Sequence, residues 1–423
     1  MDARMIFGNF IQSQDQNALA FYPQHYLLVE DGRCRGLYPT LPESLCQLPV
    51  DNFGDRLILP GMTDLHLHAP QFSFRGMGMD MELMDWLNRY TFPEEMRYQD
   101  LTYAELAYRS FARHLRISPT TRASVFATIH VPATELLMRQ LEESGLVTYV
   151  GKVNMDRNCP DGLREESVET ALAETERWIV DTQSRFPHTK PILTPRFVPT
   201  CSDELLRGLK TLQTRYQLPV QSHLSENIAE IQTVRRLCPE SEFYGDAYDR
   251  VGLFGGDHAC IMAHCVHSCD EELARIRQNG VFIAHSPESN MNLASGIAPA
   301  TRYLEMGLHV GLATDVAGGS HESMFRAVMH AIQASKLRWR LLDETVQPLS
   351  LDQAFYLATA GGGAFFGKVG KFDPGYEFDA VVVDDESLDH PQALSLRDRL
   401  ERAIYLADDR NMYAKYVAGN RLF

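Results

Sequence analysis

LILPGMTDLHLHAPQFSFRG, residues 57–76, is the stretch that decides the fold. Its apolar run ends in His66 and His68, two positions apart, before Ala69 and Pro70 break the pattern. On a β-strand, side chains at i and i+2 point to the same face, so the two imidazoles lie side by side at a strand end. Such a pair is a candidate for holding a metal ion. A His-x-His is weak on its own, and the rest of the chain has to supply the other ligands.

After this stretch, short apolar segments alternate with amphipathic helical ones. Leu205, Leu209 and Leu212, for example, share one helical face. Eight strands that alternate with helices predict an α/β fold of the (β/α)₈, or TIM-like, barrel type. The predicted strands are Thr63–His68, Ala123–His130, Val147–Met155, Pro191–Arg196, Leu218–His223, Ala259–His264, Val281–Ser286 and Leu308–Asp315.

Both ends of the chain have a different, β-rich pattern. Short β-like pieces such as Met5–Phe10 and Phe378–Val383 are separated by turn residues. Neither end looks like a complete domain. We therefore predict one small β-sandwich domain from residues 1–58 and 370–423, beside a barrel of residues 59–369.

Composition narrows the class of protein. The chain has 423 residues, of which 44% are hydrophobic, enough for a large core. A net charge of −16 argues against a nucleic-acid surface. No long apolar run suggests a membrane span, and the first ten residues lack the pattern of a secretory signal. Eight scattered cysteines, none in a Cys-x-x-Cys pair, are expected to be free thiols. We expect a cytoplasmic protein with a small-molecule substrate and neither a nucleic-acid nor a membrane partner.

Ionisable side chains follow one predicted strand after another. The fifth strand ends in His223, followed closely by Glu226, and the next three end in His264, His285 and Asp315. Chemistry in such barrels sits at the carboxyl ends of the strands. Polar groups buried there cost free energy unless they are paired or bound to metal, so this pattern indicates a site.

Three imidazoles and one carboxylate suit Zn²⁺ with one water, or Fe²⁺ at a similar site. We assign His66, His68, His223 and Asp315 to the metal. A second ion would need a bridging carboxylate or a modified lysine at the end of the fourth strand, where Arg196 stands. The sequence therefore predicts one metal per chain.

The same residues suggest how protons move. A bound metal lowers the pKa of its water, and Asp315 can take the proton. Glu226 can carry a proton to a substrate nitrogen if burial raises its pKa, or it is merely the first-turn acid of the next helix. His264 is either catalytic or a hydrogen-bonded core residue, and His285 is equally open.

These motifs resemble the amidohydrolase superfamily, in its mononuclear zinc deaminase branch. They are PG-x-x-D-x-H-x-H, the H-x-x-E after the fifth strand, the histidine of the sixth and the Thr-Asp of the eighth. More specific segments resemble the guanine deaminase family. These are HAPQFSFRG (68–76), DWLNRYTFPEE (85–95), FATIH (126–130), GKVNMDRN (151–158), TPRF (194–197), SHLSEN (222–227), MAHCVH (262–267) and TDVAGG (314–319).

The resemblance implies hydrolytic deamination of guanine to xanthine and ammonia with one Zn²⁺, in a homodimer of purine catabolism. It places Glu226 at the proton-shuttle position and His264 at the position that orients the hydroxide. It also places Gln71, Arg196 and Phe197 at the substrate. The chemistry of guanine agrees, because Arg196 can donate to O6 and the Gln71 amide suits the N1–C6 edge.

Two segments depart from the family pattern. Ser286 and Glu288 stand where the family carries a cysteine and a neutral residue, and Pro119 stands in place of the glycine of Gly-Thr-Thr. Neither segment contains a proposed ligand, so the predicted reaction is unaffected. The identity of the substrate is less firmly predicted. Two alternatives therefore remain. One is a deaminase of another aminated heterocycle, such as a pterin, an oxidised guanine or cytosine. The other is a non-catalytic barrel used as a scaffold.

Overall fold

The computed structural model describes residues 3–423, so the first two residues of the predicted small domain lie outside the described residues. None of the helices within that range is long and apolar enough to cross a membrane. The strands are β1 (Ala3–Asp15), β2 (Ala18–Glu30), β3 (Arg33–Tyr38), β4 (Val50–Pro60), β5 (Met62–His68), β6 (Thr120–Phe126), β7 (Val147–Gly151), β8 (Val153–Asn154), β9 (Thr189–Pro191), β10 (Thr194–Pro195), β11 (Val220–Leu224), β12 (Cys260–His264), β13 (Phe282–His285), β14 (His309–Leu312), β15 (Ala380–Val383), β16 (Met412–Val417) and β17 (Asn420–Arg421). The α-helices are α1 (Leu83–Trp86), α2 (Phe92–Met96), α3 (Leu101–Ile117), α4 (Val131–Ser144), α5 (Val168–Thr182), α6 (Asp203–Tyr216), α7 (Ile228–Leu237), α8 (Asp246–Asp249), α9 (Asp270–Asn279), α10 (Pro287–Asn292), α11 (Ala300–Glu305), α12 (Met324–Leu341), α13 (Leu351–Tyr356) and α14 (Leu396–Leu406).

Two parallel four-stranded sheets, β5-β6-β7-β9 and β11-β12-β13-β14, form the barrel. They meet on both sides through backbone hydrogen bonds. The N–H of Asp315 donates to the carbonyl of His66 at 2.9 Å, and the N–H of Gln221 donates to the carbonyl of Leu193 at 2.9 Å. The predicted fold class is confirmed. The carboxyl ends of the strands therefore share one mouth.

The third and fourth predicted strands are each broken in two. β8 and β10 leave the main sheet and pair with each other, with Val153 opposite Thr194. Pro191 ends β9 and Pro195 ends β10, and proline has no N–H to continue a ladder. The break turns the chain before Arg196 and so sets where that side chain enters the mouth.

The two chain ends build one seven-stranded sheet, in the order β17-β16-β15-β4-β1-β2-β3. β4 and β15 come from opposite ends and pair antiparallel, with Ile58 opposite Val382. A single apolar cluster that includes Ile6, Leu27 and Tyr416 takes residues from six of these strands, so the sheet curves around its own core. This is the small β domain expected from both ends, while its limits at residues 58 and 370 stay a prediction.

A buried ion pair joins this sheet to the barrel. Arg122, in β6, donates from Nε to Asp379 at 2.7 Å and from Nη2 to Glu377 at 2.6 Å. Asp379 directly precedes β15 and also accepts from the backbone N–H of Ala418 at 2.7 Å. Since Arg122 and Asp379 are both buried, removing either partner leaves an uncompensated charge in the interior.

Candidate active site

The four predicted ligands converge at the mouth of the barrel. Nε2 of His66 and Nε2 of His68 lie 3.1 Å and 3.4 Å from Oδ1 of Asp315. Nε2 of His223 lies 3.3 Å from Nε2 of His68. His66 ring atoms also lie within 4.8 Å of those of His223 and His264, so His264 stands at the edge of the same cluster. All five side chains are buried.

The state of these groups suits a metal ion. Among residues 3–423, Nδ1 of His66 finds no hydrogen-bond partner, which is costly for a buried polar group, while its Nε2 lies against the Asp315 carboxylate. Burial lowers the pKa of His66, His68 and His223, so the rings are neutral and have lone pairs to offer. Burial pushes the pKa of Asp315 upward, but the neighbouring His66 outweighs it and brings it to about 2. Three neutral imidazoles and one carboxylate fit Zn²⁺.

Neighbouring groups hold the cluster in place from behind. Nδ1 of His223 lies 2.6 Å from the carbonyl oxygen of Arg196, which leaves Nε2 facing the cluster. The ring of Phe126 packs against three imidazoles, with its centroid 4.8 Å from that of His66, 4.7 Å from that of His68 and 5.0 Å from that of His223. The geometry of the ligands therefore depends on packing as well as on hydrogen bonds.

Asp64, the acidic residue of the PG-x-x-D-x-H-x-H motif, ties the first barrel strand to the last. Its carboxylate accepts from the N–H of His66 at 3.3 Å and from the N–H and hydroxyl of Thr314 at 3.1 Å and 2.5 Å. These bonds hold the ends of β5 and β14 together. His66 and Asp315 are thereby brought to one point.

Glu226 lies in the mouth, and its pKa is raised above the ordinary value of a glutamate. It is 4% exposed, and burial is the main cause that raises its pKa. Its Oε1 accepts from the hydroxyl of Ser295 at 3.0 Å. The alternative that it is the first-turn acid of the next helix is wrong. Asn227 caps α7 and Glu230 completes the capping box, so Glu226 precedes the helix.

His264 points between the two carboxylates of the mouth. Its Nε2 lies 3.5 Å from Oε2 of Glu226 and 3.7 Å from Oδ2 of Asp315. Its Nδ1 bonds the side-chain oxygen of Asn290 at 2.9 Å. Burial works against the charged form, but the two carboxylates outweigh it and the pKa of His264 is raised. The imidazole is therefore placed to interact with both acids.

A cleft with about 410 Å³ of empty space, including solvent at its opening, joins these groups. The predicted site residues all line it except His66, which lies behind the others. The sequence analysis did not predict the apolar and small lining residues Leu83, Leu87, Leu293 and Gly318. The lining residues are His68, Gln71, Leu83, Trp86, Leu87, Arg196, Phe197, His223, Glu226, His264, Leu293, Asp315 and Gly318.

Glu95 is the most consequential residue that sequence reasoning missed. Its carboxylate accepts from Nε2 of Gln71 at 2.9 Å and from Nη1 of Arg196 at 2.6 Å. The signal was present in DWLNRYTFPEE (85–95), but nothing in that segment distinguishes Glu95 from Glu94.

The two departures from the family pattern stay outside the cleft lining. Glu288 bonds the hydroxyl of Ser320 at 2.5 Å and lies 3.5 Å from Nδ1 of His330. The carbonyl of Pro119 accepts from the N–H of Met62 at 3.1 Å, at the start of the first barrel strand.

His285 is buried behind the mouth, and burial lowers its pKa to about 4.

Residues 57–422 match the model of the Amidohydrolase family. A guanine deaminase of Dictyostelium discoideum is 36% identical over 384 residues, which are 89% of this chain and 84% of that one. A guanine deaminase of Escherichia coli K12 is 33% identical over 423 residues, 96% of this chain and 93% of that one. The crystal structure of a guanine deaminase from C. acetobutylicum with bound guanine in the active site has a TM-score of 0.97 and 45% identity, covering both chains fully.

Proposed function

Because the chain belongs to the amidohydrolase family and, within it, to the guanine deaminases, we propose that it hydrolyses guanine to xanthine and ammonia. The observation that supports this most is the make-up of a single cleft. The same cleft is lined by imidazoles and ionisable carboxylates and by Gln71 and Arg196, which suit a purine edge. The reaction adds water across the C2=N3 bond. A C–O bond forms at C2, and the 2-amino group leaves as ammonia.

We assign His66, His68, His223 and Asp315 as the residues that would hold one Zn²⁺. When bound, the ion would lower the pKa of a water and so supply a nucleophile near neutral pH. Fe²⁺ is the alternative ion that we rank second, since imidazole suits both metals. The convergence of Nε2 of His66 and Nε2 of His68 on Oδ1 of Asp315 supports the assignment.

Two of the lining residues orient the base. Arg196 is in place to donate to O6, and the Gln71 amide offers one donor and one acceptor to the N1–C6 edge. Phe197 and Trp86 are buried and line the cleft. Holding the ring in this way directs C2 toward the carboxylates, which is how positioning contributes to rate.

Protons move between the two carboxylates of the mouth. Asp315 is ionised at neutral pH, because its pKa is about 2, and it accepts the proton of the attacking water. Glu226, whose pKa is raised by burial, gives its proton to N3, takes the proton of the new C2 hydroxyl and passes that proton to the departing amine. The proton that Asp315 took from water then restores the Glu226 acid. His264 lies within 4 Å of both acids and orients the attacking oxygen.

The test uses purified protein and guanine, with ammonia, xanthine and metal content measured on the same sample. We expect turnover with one Zn²⁺ per chain and its loss in His223→Ala. Bound metal without turnover of guanine would leave the deaminase chemistry and point to another aminated heterocycle. In that case Arg196→Ala serves as a second test, since it should impair only substrates that carry the oxo group.

We further propose a cytoplasmic homodimer that acts in purine catabolism. Leu337 and Leu341, one turn apart on α12, are 48% and 70% exposed, which supports an interface there. The eight cysteines are all free thiols, which supports a reducing compartment. Sedimentation of the protein and of Leu341→Lys tests the dimer. A monomer at all concentrations would contradict it.

A further inference from the structure

We propose that Glu95 is the positioning residue that decides which purines the cleft accepts. It does so by holding the Gln71 amide in one orientation and by cancelling the charge of Arg196. This inference rests on the proposed function, because it concerns the substrate-facing wall of the same cleft. It adds a residue that does not itself line the cleft and so acts through its neighbours.

Glu95 is placed to reach both recognition residues at once. It lies in α2 and is 2% exposed. Its Oε1 accepts from Nε2 of Gln71 at 2.9 Å, and its Oε2 accepts from Nη1 of Arg196 at 2.6 Å. Each carboxylate oxygen therefore serves one partner, and neither partner can move without breaking a buried charge-assisted hydrogen bond.

These contacts allow only one orientation of the Gln71 amide. A carboxylate only accepts hydrogen bonds, so the NH₂ group must face Glu95. On the other side the backbone N–H of Ala317 donates to Oε1 of Gln71 at 3.3 Å. Rotating the amide by half a turn would place its oxygen against the Glu95 carboxylate and its NH₂ group against the N–H of Ala317. One amide N–H and one carbonyl lone pair remain for the ligand, which matches the N–H and C=O of a lactam.

The second effect concerns charge. Arg196 is 3% exposed, and among residues 3–423 the carboxylate within 4.0 Å of it is that of Glu95. A buried guanidinium without this partner would attract anions strongly. With the partner in place the wall is neutral but still donates hydrogen bonds. Such a wall favours a neutral 6-oxopurine over a purine anion, and it limits binding of xanthine, which loses a proton more readily than guanine.

The neighbouring Glu94 provides a matched control. Its carboxylate bonds the hydroxyl of Tyr103 and lies 3.1 Å from Nη1 of Arg97. It touches neither Gln71 nor Arg196. The two adjacent glutamates of α2 thus have separate partners. Those of Glu95 line the cleft, and those of Glu94 do not.

The experiment compares Glu95→Gln, Glu95→Asp and Glu94→Gln with the parent, all loaded with metal. Steady-state kinetics give KM and kcat for guanine. Calorimetry gives the affinity for 8-azaxanthine, a product analogue that is a monoanion at neutral pH. In Glu95→Gln we expect KM to rise about tenfold with a smaller change in kcat, and the affinity for the anion to rise about tenfold. In Glu95→Asp the charge stays but the reach is lost, so KM rises while anion affinity stays at the parent value.

Glu94→Gln is expected to leave both quantities within about twofold of the parent. Glu95→Gln with KM and anion affinity at the parent values would overturn the proposal. If Glu95→Gln does not fold, an unchanged KM in Glu95→Asp would overturn it instead. If the parent does not turn over guanine, the proposed function fails, but calorimetry still decides the charge effect, since equal anion affinity in parent and Glu95→Gln would overturn it.

Discussion

Replacing Glu226 by glutamine tests the proposed proton transfer with little disturbance of the fold. The amide has the shape of the carboxyl group, and its oxygen can still accept from the hydroxyl of Ser295, now 3.0 Å away. Burial already disfavours the charged form of this side chain. The free energy of unfolding should therefore change by less than about 1 kcal/mol.

The loss of rate can be bounded from the groups that remain. A positioned acid or base contributes about 10²–10⁴-fold, or about 3–5 kcal/mol of barrier. Asp315 has a pKa of about 2, so at neutral pH it holds no proton to give to N3 until it has taken one from the attacking water. His264 remains, with Nε2 only 3.5 Å from the lost oxygen, and can partly replace it. We therefore expect kcat to fall about 10³-fold, in the middle of the range.

The assay is ammonia release at saturating guanine, with metal content and thermal unfolding measured on the same preparation. Glu272→Gln is the control, because that buried carboxylate bonds the hydroxyl of Ser225 at 2.8 Å and the N–H of Gly245 at 2.7 Å, away from the cleft lining. A folded, metal-loaded Glu226→Gln protein whose kcat stays within about tenfold of the parent would refute the reasoning.

Four further outcomes are expected. Dialysis against a chelator should abolish ammonia release, and one equivalent of Zn²⁺ should restore it; activity in metal-free protein would contradict the metal assignment. Arg122→Met should lower the free energy of unfolding in urea by about 3–5 kcal/mol, because it strands the buried Asp379 carboxylate. Phe126→Ala should lower the free energy of unfolding by about 3–5 kcal/mol and weaken Zn²⁺ binding. Unchanged metal affinity would mean that the ring does not hold the ligands. Because the pKa of His285 is about 4 in the folded protein and 6.5 ordinarily, the unfolded state binds its proton first as pH falls. Stability should then decline by about 3 kcal/mol between those values, and His285→Asn should remove this part of the pH profile.

Sequence periodicity was enough to predict the barrel and the meeting of its strand ends at one mouth. Apolar alternation marks strands wherever the residues lie, and parallel strands of one barrel must end at one mouth. That is why His68, His223 and Asp315, far apart in the chain, were expected together and lie within one cleft. Their roles in catalysis remain predictions.

Local details at element boundaries were harder to predict. The fourth strand was expected to be continuous, but it is interrupted between Pro191, which ends β9, and Thr194, which begins β10. The sequence left Glu226 as a possible first-turn acid of the next helix. In the structure α7 begins after Asn227, so the first-turn acid is Glu230.

The sequence by itself determined the α/β barrel, the β domain from both ends and the set of candidate metal ligands, because these follow from periodicity, residue type and strand order. Only the tertiary structure decided which carboxylate faces Arg196. Glu94 and Glu95 are chemically identical and adjacent, while Gln71 and Arg196 lie 24 and 101 residues from Glu95. A partner at such distances is set by how α2 packs over the mouth, and no local pattern carries that information.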